Sequence, residues 1–241
     1  MYVYLSMDCE RVWEKEIGMK GPTSIIESAM SILDFTKLAE SHNQIVEFFV
    51  TPQSAELHAP IFQDLATKGH MLSLHLHLPS YKEEFFGQKL ELGNLSAEKQ
   101  FQILKSAVND FENYLEQKPH GFRPGMGSAN AETFEILTKL GITSGSVTIP
   151  DFVEKRYKTD WTNWSKQPHT VQTANGDFHN KPLTGNLWID NINRSENLPD
   201  VNLKTANYIP IYTHNWVDFS ENSFAHRYLN DILTYISILN K

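Results

Sequence analysis

The stretch GHMLSLHLHLP at 69–79 places His75 and His77 two residues apart in an otherwise apolar, strand-like run. Alternate residues of a strand project to the same face, so two imidazoles at this spacing point together, as two ligands of one metal must. Two histidines can equally be partly buried polar fillers, and two ligands alone do not make a site. Hydrolytic metal chemistry asks in addition for a third ligand, a base that takes a proton from water, and an acid that protonates the leaving group.

Other strand ends offer those parts. SMDCE at 6–10 supplies Asp8 and Glu10, again two apart, at the end of a β-rich segment. In parallel α/β folds that end of a strand is where ligands and catalytic groups gather. One carboxylate can complete a two-histidine, one-carboxylate site, and the other can act as general base on metal-bound water. FRPGMGSAN at 122–130 puts Arg123 at the end of a short strand, where its guanidinium can hold the base ionised and oriented. IYTHNW at 211–216 puts His214 just past a late apolar strand, a candidate general acid. Each residue alone has an ordinary reading as a helix cap, a surface arginine or a structural histidine, but their order along the chain is specific.

The elements that must position them follow from periodicity. Residues 2–7 (YVYLSM) read as a strand, and Ile25, Ala29, Ile32 and Leu33 recur at helical spacing within 24–41. A buried strand is expected at 45–50, a helix at 53–67, the His-bearing strand at 71–77, and a long helix from about 97 to 117 with Ser96 as N-cap. GFRP at 121–124 reads as a short strand, and 131–140 as a helix that Asn130 caps and Gly141 ends. Alternating strands and helices argue for a parallel α/β arrangement, barrel or doubly wound. Residues 151–206 break the rhythm, rich in Trp, Asn, Thr and Pro, and read as a loop insertion or irregular β hairpins. A strand at 207–213 and a helix at 222–239 restore it.

Composition limits the partners. The 241 residues are 40% hydrophobic, enough for a sizeable core and better suited to one domain over 1–241 than to two. A net charge of −8 with no clustered Lys/Arg face argues against nucleic acid or an anionic membrane surface as partner. The single cysteine, Cys9, excludes an intrachain disulfide. No run approaches the ~18–20 apolar residues of a membrane span, and the first residues, MYVYLSMDCE, have no secretory-signal pattern, so a cytoplasmic protein is expected. Among the remaining histidines, His70 is assigned to the turn feeding its strand, and His42, His58, His120 and His226 to solvated positions beside helices. Trp161, Trp164, Trp188, His169, Asp177 and His179 fall in the irregular region and are candidates for anchoring loops or lining a cleft.

An acidic pair near the N-terminus, GH followed by a histidine pair, FRPG, and a late strand-end histidine together resemble the polysaccharide deacetylases, the NodB-homology or family 4 carbohydrate esterases. The resemblance spans 4–216 and is strongest in GHMLSLHLH and GFRPGMGSAN, with a D-x-E start and an H-x-H second motif like a divergent bacterial subgroup of surface-polysaccharide and O-antigen biosynthesis proteins. It implies an irregular, incomplete (β/α) barrel with the site at the C-terminal ends of its strands. By motif, Asp8 is implied as base, Glu10, His75 and His77 as ligands of a divalent ion, Arg123 as partner of the base, and His214 as general acid. Two imidazoles and one carboxylate make zinc the expected ion. The implied activity is removal of an N-acetyl group from a small-molecule or carrier-linked acetamido sugar; a non-catalytic carbohydrate-binding relative and an amidohydrolase acting on another C–N bond are the competing readings. The sequence departs from the family pattern where Cys9 takes the place of a second aspartate and Pro79 stands four residues after His75, so that His77 substitutes. An Asp-Trp element that supports the acid matches only Asp160 and Trp161, and loosely.

Overall fold

The computed structural model of the chain describes residues 1–15, 19–184, 187–190 and 205–239. The first half alternates strand and helix: β1 (Tyr2–Cys9), α1 (Ile25–Ser41), β2 (Val46–Val50), α2 (Pro52–Thr67), β3 (Met71–Leu76), a one-turn α3 (Leu78–Tyr81) and α4 (Ala97–Leu115). Then come β4 (Phe122–Pro124), α5 (Ala131–Lys139), β5 (Ser144–Gly145), a small β6 (Val153–Glu154) and β7 (Thr159–Asp160) pair, β8 (His169–Thr173), β9 (Gly176–Asn180), β10 (Tyr208–His214) and α6 (Phe224–Leu239).

Eight strands form one sheet in the order β10-β1-β2-β3-β4-β5-β9-β8, parallel throughout except for the antiparallel β8–β9 hairpin. The hairpin lies in the stretch expected to be irregular, and β9 extends the main sheet beyond β5. Residues 185–186 and 191–204 of that stretch lie outside the described residues.

Helix starts follow local chemistry. Ser24, Thr51, Ser96 and Asn130 each accept a backbone N–H of the first turn of α1, α2, α4 and α5. In α1 the buried stripe is Ser28, Ile32, Phe35 and Ala39, whereas Ile25 and Leu33 of the expected apolar stripe are exposed. Tertiary contact with α2 and α6 sets the rotation of this helix; its apolar residues alone leave two faces open. In α2 the helix kinks at His58, two residues before Pro60, and His58 is buried with Nε2 2.9 Å from Ser28 Oγ, contrary to its solvated assignment.

The strands sort by face. Leu5, Met7 and Cys9 of β1, Phe48 and Val50 of β2, and Leu72, Leu74 and Leu76 of β3 join the core beneath the helices. Each such side chain contributes roughly 1.5–3 kcal/mol by burial. The opposite face carries Tyr4, Ser6 and Asp8, then Glu47 and Phe49, then Ser73 and His75, with Arg123 on β4; these side chains bond one another across the concave interior. Lys181, just after β9, reaches across that interior to pair with Glu47, and its ammonium lies 4.8 Å from the Tyr4 ring centre. Residues 182–184 and 187–190 cover the β10 edge: Tyr208 donates its hydroxyl to Pro182 O (2.9 Å), Tyr212 N donates to Leu187 O (3.2 Å), and Trp188 bridges to Tyr212. No helix among the described residues is long and apolar enough to cross a membrane.

Candidate metal centre and active site

All six residues singled out by type and spacing come together at the C-terminal ends of β1, β3, β4 and β10. Asp8 and Glu10 flank Cys9, and strand alternation points both carboxylates into the interior while Cys9 is buried in the opposite, helix-covered core. The Cys9 thiol is pushed up by burial and by the two neighbouring carboxylates, so it stays protonated and takes no ligand role.

Glu10, His75 and His77 each present one ligand atom to a common point, the three lying within 4.8 Å of one another. Glu10 Oε1 is 3.1 Å from His75 Nε2 and 3.2 Å from His77 Nε2. The other ring nitrogens are already used: His75 Nδ1 donates to the Arg123 carbonyl at 2.9 Å, and His77 Nδ1 donates to Glu91 Oε1 at 2.6 Å. With Nδ1 protonated in both rings, the two Nε2 lone pairs and a carboxylate oxygen face each other, three acceptors with no donor among them. That donor set fits a divalent cation, the only partner besides added protons that satisfies all three at once. The electrostatics agree with this need for positive charge. Burial alone would lower the His77 imidazole, but Glu10 and Glu91 hold it well above its usual value. Burial would raise the Glu10 carboxyl, but His77 and His75 hold it well below.

Asp8 stands beside this cluster. One oxygen is ion-paired with Arg123, and the other, Oδ2, lies 3.7 Å from His75 Nε2 and 3.9 Å from His214 Nε2. Arg123 is buried; its guanidinium also donates to Ser6 Oγ at 2.9 Å and lies 3.9 Å from the Phe49 ring centre. Burial would lower the Arg123 pKa, but Asp8 raises it, so the cation is secure. His214 is the register partner of Asp8 on β10, and its ring stacks on Trp216 with centroids 4.1 Å apart. Its Nδ1 donates to Asp190 Oδ2 at 2.6 Å, and Thr213 Oγ1 holds the other Asp190 oxygen at 3.0 Å. Burial would lower the His214 imidazole, but Asp190 outweighs it and raises it.

Three supporting residues escaped the sequence reading. Asp190, not Asp160, supports His214; Asp160 is exposed and accepts from its neighbour Thr162, while Trp161 is a buried anchor donating to Gly127 O at 2.7 Å. Asp190 sits in WID at 188–190, inside a segment without periodicity, so nothing local marks it. Glu91 lies between helices, 14 residues from the ring it binds. Asn215 follows His214 directly, and its amide brackets the Glu10 main chain, accepting from Glu10 N and donating to Glu10 O, both at 2.9 Å. His70 is buried and accepts from Val46 N at 3.1 Å. His169, Asp177 and His179 sit on the β8–β9 hairpin at the far edge of the sheet, away from the cluster.

Comparison with known proteins bears on the fold and on the middle of the chain. Residues 27–145 match the sequence model of the family described as polysaccharide deacetylase, a span that holds His75, His77 and Arg123 and leaves Asp8, Glu10 and His214 outside. No curated protein matches the chain. Among solved structures, a putative polysaccharide deacetylase from Mycobacterium smegmatis aligns at TM-score 0.65 and 13% identity, covering 97% of this chain and 82% of that one. A probable polysaccharide deacetylase from Pseudomonas aeruginosa PAO1 aligns at TM-score 0.65 and 12% identity, covering 98% and 84%. Puue allantoinase aligns at TM-score 0.68 and 12% identity, again covering 98% and 84%. The chain thus carries a polysaccharide deacetylase family match across residues 27–145, on a curled eight-stranded α/β half-barrel of the NodB deacetylase type.

Proposed function

We propose that the protein is a metal-dependent carbohydrate N-deacetylase, hydrolysing the N-acetyl group of an acetamido sugar or sugar precursor in surface-polysaccharide synthesis. The observation that carries this reading is the position of Asp8 Oδ2, within 4 Å of both His75 Nε2 and His214 Nε2, between the ligand cluster and a second, carboxylate-supported imidazole. Glu10, His75 and His77 would hold the ion, and zinc suits two imidazoles and a carboxylate. When bound, such an ion polarises an amide carbonyl and acidifies a water.

The remaining work falls to side chains. Asp8 Oδ2 accepts a proton from the attacking water, while Arg123 is ion-paired with the other oxygen and holds the carboxylate in place. His214, with Nδ1 committed to Asp190, presents Nε2 to the same space and gives its proton to the departing amine. Trp216 and Asp190 fix the plane of that ring, so no reorientation is needed between steps.

The test is acetate release from free, nucleotide-linked and lipid-linked acetamido sugars by metal-loaded protein, metal-stripped protein and His214→Ala. Acetate that disappears on stripping and falls sharply in the variant supports the reading. Bound metal without acetate from any of these sugars would sink it in favour of a non-catalytic carbohydrate-binding relative. The same residues can also open another C–N bond, and the allantoinase with this fold gives that alternative a concrete form. Turnover of a ureide or cyclic amide in place of acetamido sugars would select it.

A further inference from the structure

We infer that Glu91 is the positioning residue that makes His77 a metal ligand, supplying from a turn the constraint that the strand cannot. The inference rests on the metal-centre reading above. The two histidines of the pair are held differently. His75 lies within β3, opposite Arg123 in the β3–β4 ladder, and the Arg123 carbonyl fixes its ring. The ladder ends one residue later at Leu76 and Pro124, and His77 lies past it, with no main-chain carbonyl on its Nδ1. Strand geometry therefore aims His77 toward the site without fixing which nitrogen faces Glu10 or how the ring is turned.

Glu91 supplies both. Its carboxylate is almost fully buried, at 1% exposure, and is divided between two donors: Oε1 takes His77 Nδ1 at 2.6 Å, and Oε2 takes the Leu78 backbone N–H at 3.1 Å. The second bond satisfies an otherwise unpaired N–H in the first turn of α3, so one carboxylate ties His77 to the start of the helix that follows it. Glu91 is itself immobilised. Its N–H donates to Asn94 Oδ1 at 2.8 Å, the Asn94 amide donates to Arg156 O at 3.0 Å, and Gly93 N donates to Ser128 Oγ at 3.0 Å. Gly125 leaves the room this contact needs, because a Cβ there would overlap the His77 ring. A buried carboxylate on Nδ1–H keeps the lone pair on Nε2, aimed at Glu10, and raises the basicity of the ligand. This is how an H-x-H pair that overruns its strand by one residue still presents two matched Nε2 atoms.

The test has two arms. Zinc titration of metal-stripped wild type and Glu91→Gln by calorimetry should show affinity weakened about 10–100-fold in the variant, with circular dichroism confirming that it is folded. Long-range 1H–15N spectra of wild type should show His77 protonated at Nδ1, without zinc and with it. A folded Glu91→Gln with wild-type zinc affinity, or a His77 with its lone pair on Nδ1, overturns the assignment. Should the variant not fold, the spectra of wild type decide alone. A wild type that binds no zinc but keeps the Nδ1–H signal refutes the metal reading and leaves Glu91 as the residue that sets the His77 tautomer.

Discussion

The main-chain carbonyl of Arg123 accepts from His75 Nδ1 at 2.9 Å, while the two residues sit opposite each other in the β3–β4 ladder. The Arg123 side chain turns inward from the same position to ion-pair with Asp8. One residue therefore orients a candidate ligand through its backbone and a candidate base through its guanidinium. Strand register, which a shift of one residue would invert, is thus built into the relation between ligand and base.

Those two roles separate by substitution. Arg123→Met keeps the carbonyl and the long buried stem but leaves Asp8 without its cation. Stability is expected to fall by about 3–5 kcal/mol, the usual cost of leaving a buried charge uncompensated, with turnover lost and zinc affinity close to wild type. Chemical denaturation and zinc titration check both; a large loss of zinc affinity in folded variant would mean that the guanidinium also holds the ligands.

Asp8 and Glu10 should part in the same way. Asp8→Asn is expected to keep its metal while turnover drops by roughly 10²–10⁴, the contribution of general-base catalysis. Glu10→Gln is expected to lose metal first, because it removes the carboxylate that both imidazoles face. Elemental analysis beside acetate release distinguishes them, and the opposite pattern would exchange the two roles.

Asp190 is expected to set the alkaline limit of the proposed turnover. A general acid must be protonated, so rate falls as pH rises through the His214 pKa, which burial would lower but Asp190 raises. Asp190→Asn removes that support, and the alkaline limb of the kcat/KM profile should move to lower pH. A limb that stays in place would show that another group titrates there.

Gly125→Ala is a steric test at a residue with no side chain of its own. The added methyl meets the His77 ring, so zinc affinity should drop while the ladder and Arg123 remain. Unchanged zinc affinity in folded protein would show that His77 has slack, or that it is not a ligand.

Away from the site, Lys181, just after β9, and Glu47 on β2 join non-adjacent strands of the sheet across the interior. Burial would raise the Glu47 carboxyl, but Lys181 and hydrogen bonds from Ser73 and Tyr4 bring it below its usual value. A depressed carboxyl contributes stability above its unfolded pKa of about 4.3, and that contribution is lost as pH falls through the folded value. Lys181→Met should therefore destabilise by about 3–5 kcal/mol near neutrality, and the stability gap to wild type should narrow as pH falls and Glu47 is protonated in both proteins. A gap that stays constant with pH would remove Glu47 from this role.

The sequence by itself determined the strand and helix alternation and the caps at Ser96 and Asn130, because these follow from nearest-neighbour chemistry and from strand alternation, and it singled out six residues whose types suit metal-assisted hydrolysis. It did not determine which face of α1 packs inward, since that depends on α2 and α6 lying against it. Nor did it reveal Glu91, Asp190 or Asn215. Their partners are 14, 24 and 205 residues away, the first two met through loops that fold back beside β3 and β10 and the third because the sheet sets β1 and β10 side by side. A side chain's chemistry is written in its type, but the direction of its hydrogen bond, and hence the tautomer of each imidazole, is decided only where distant strand ends and turns converge.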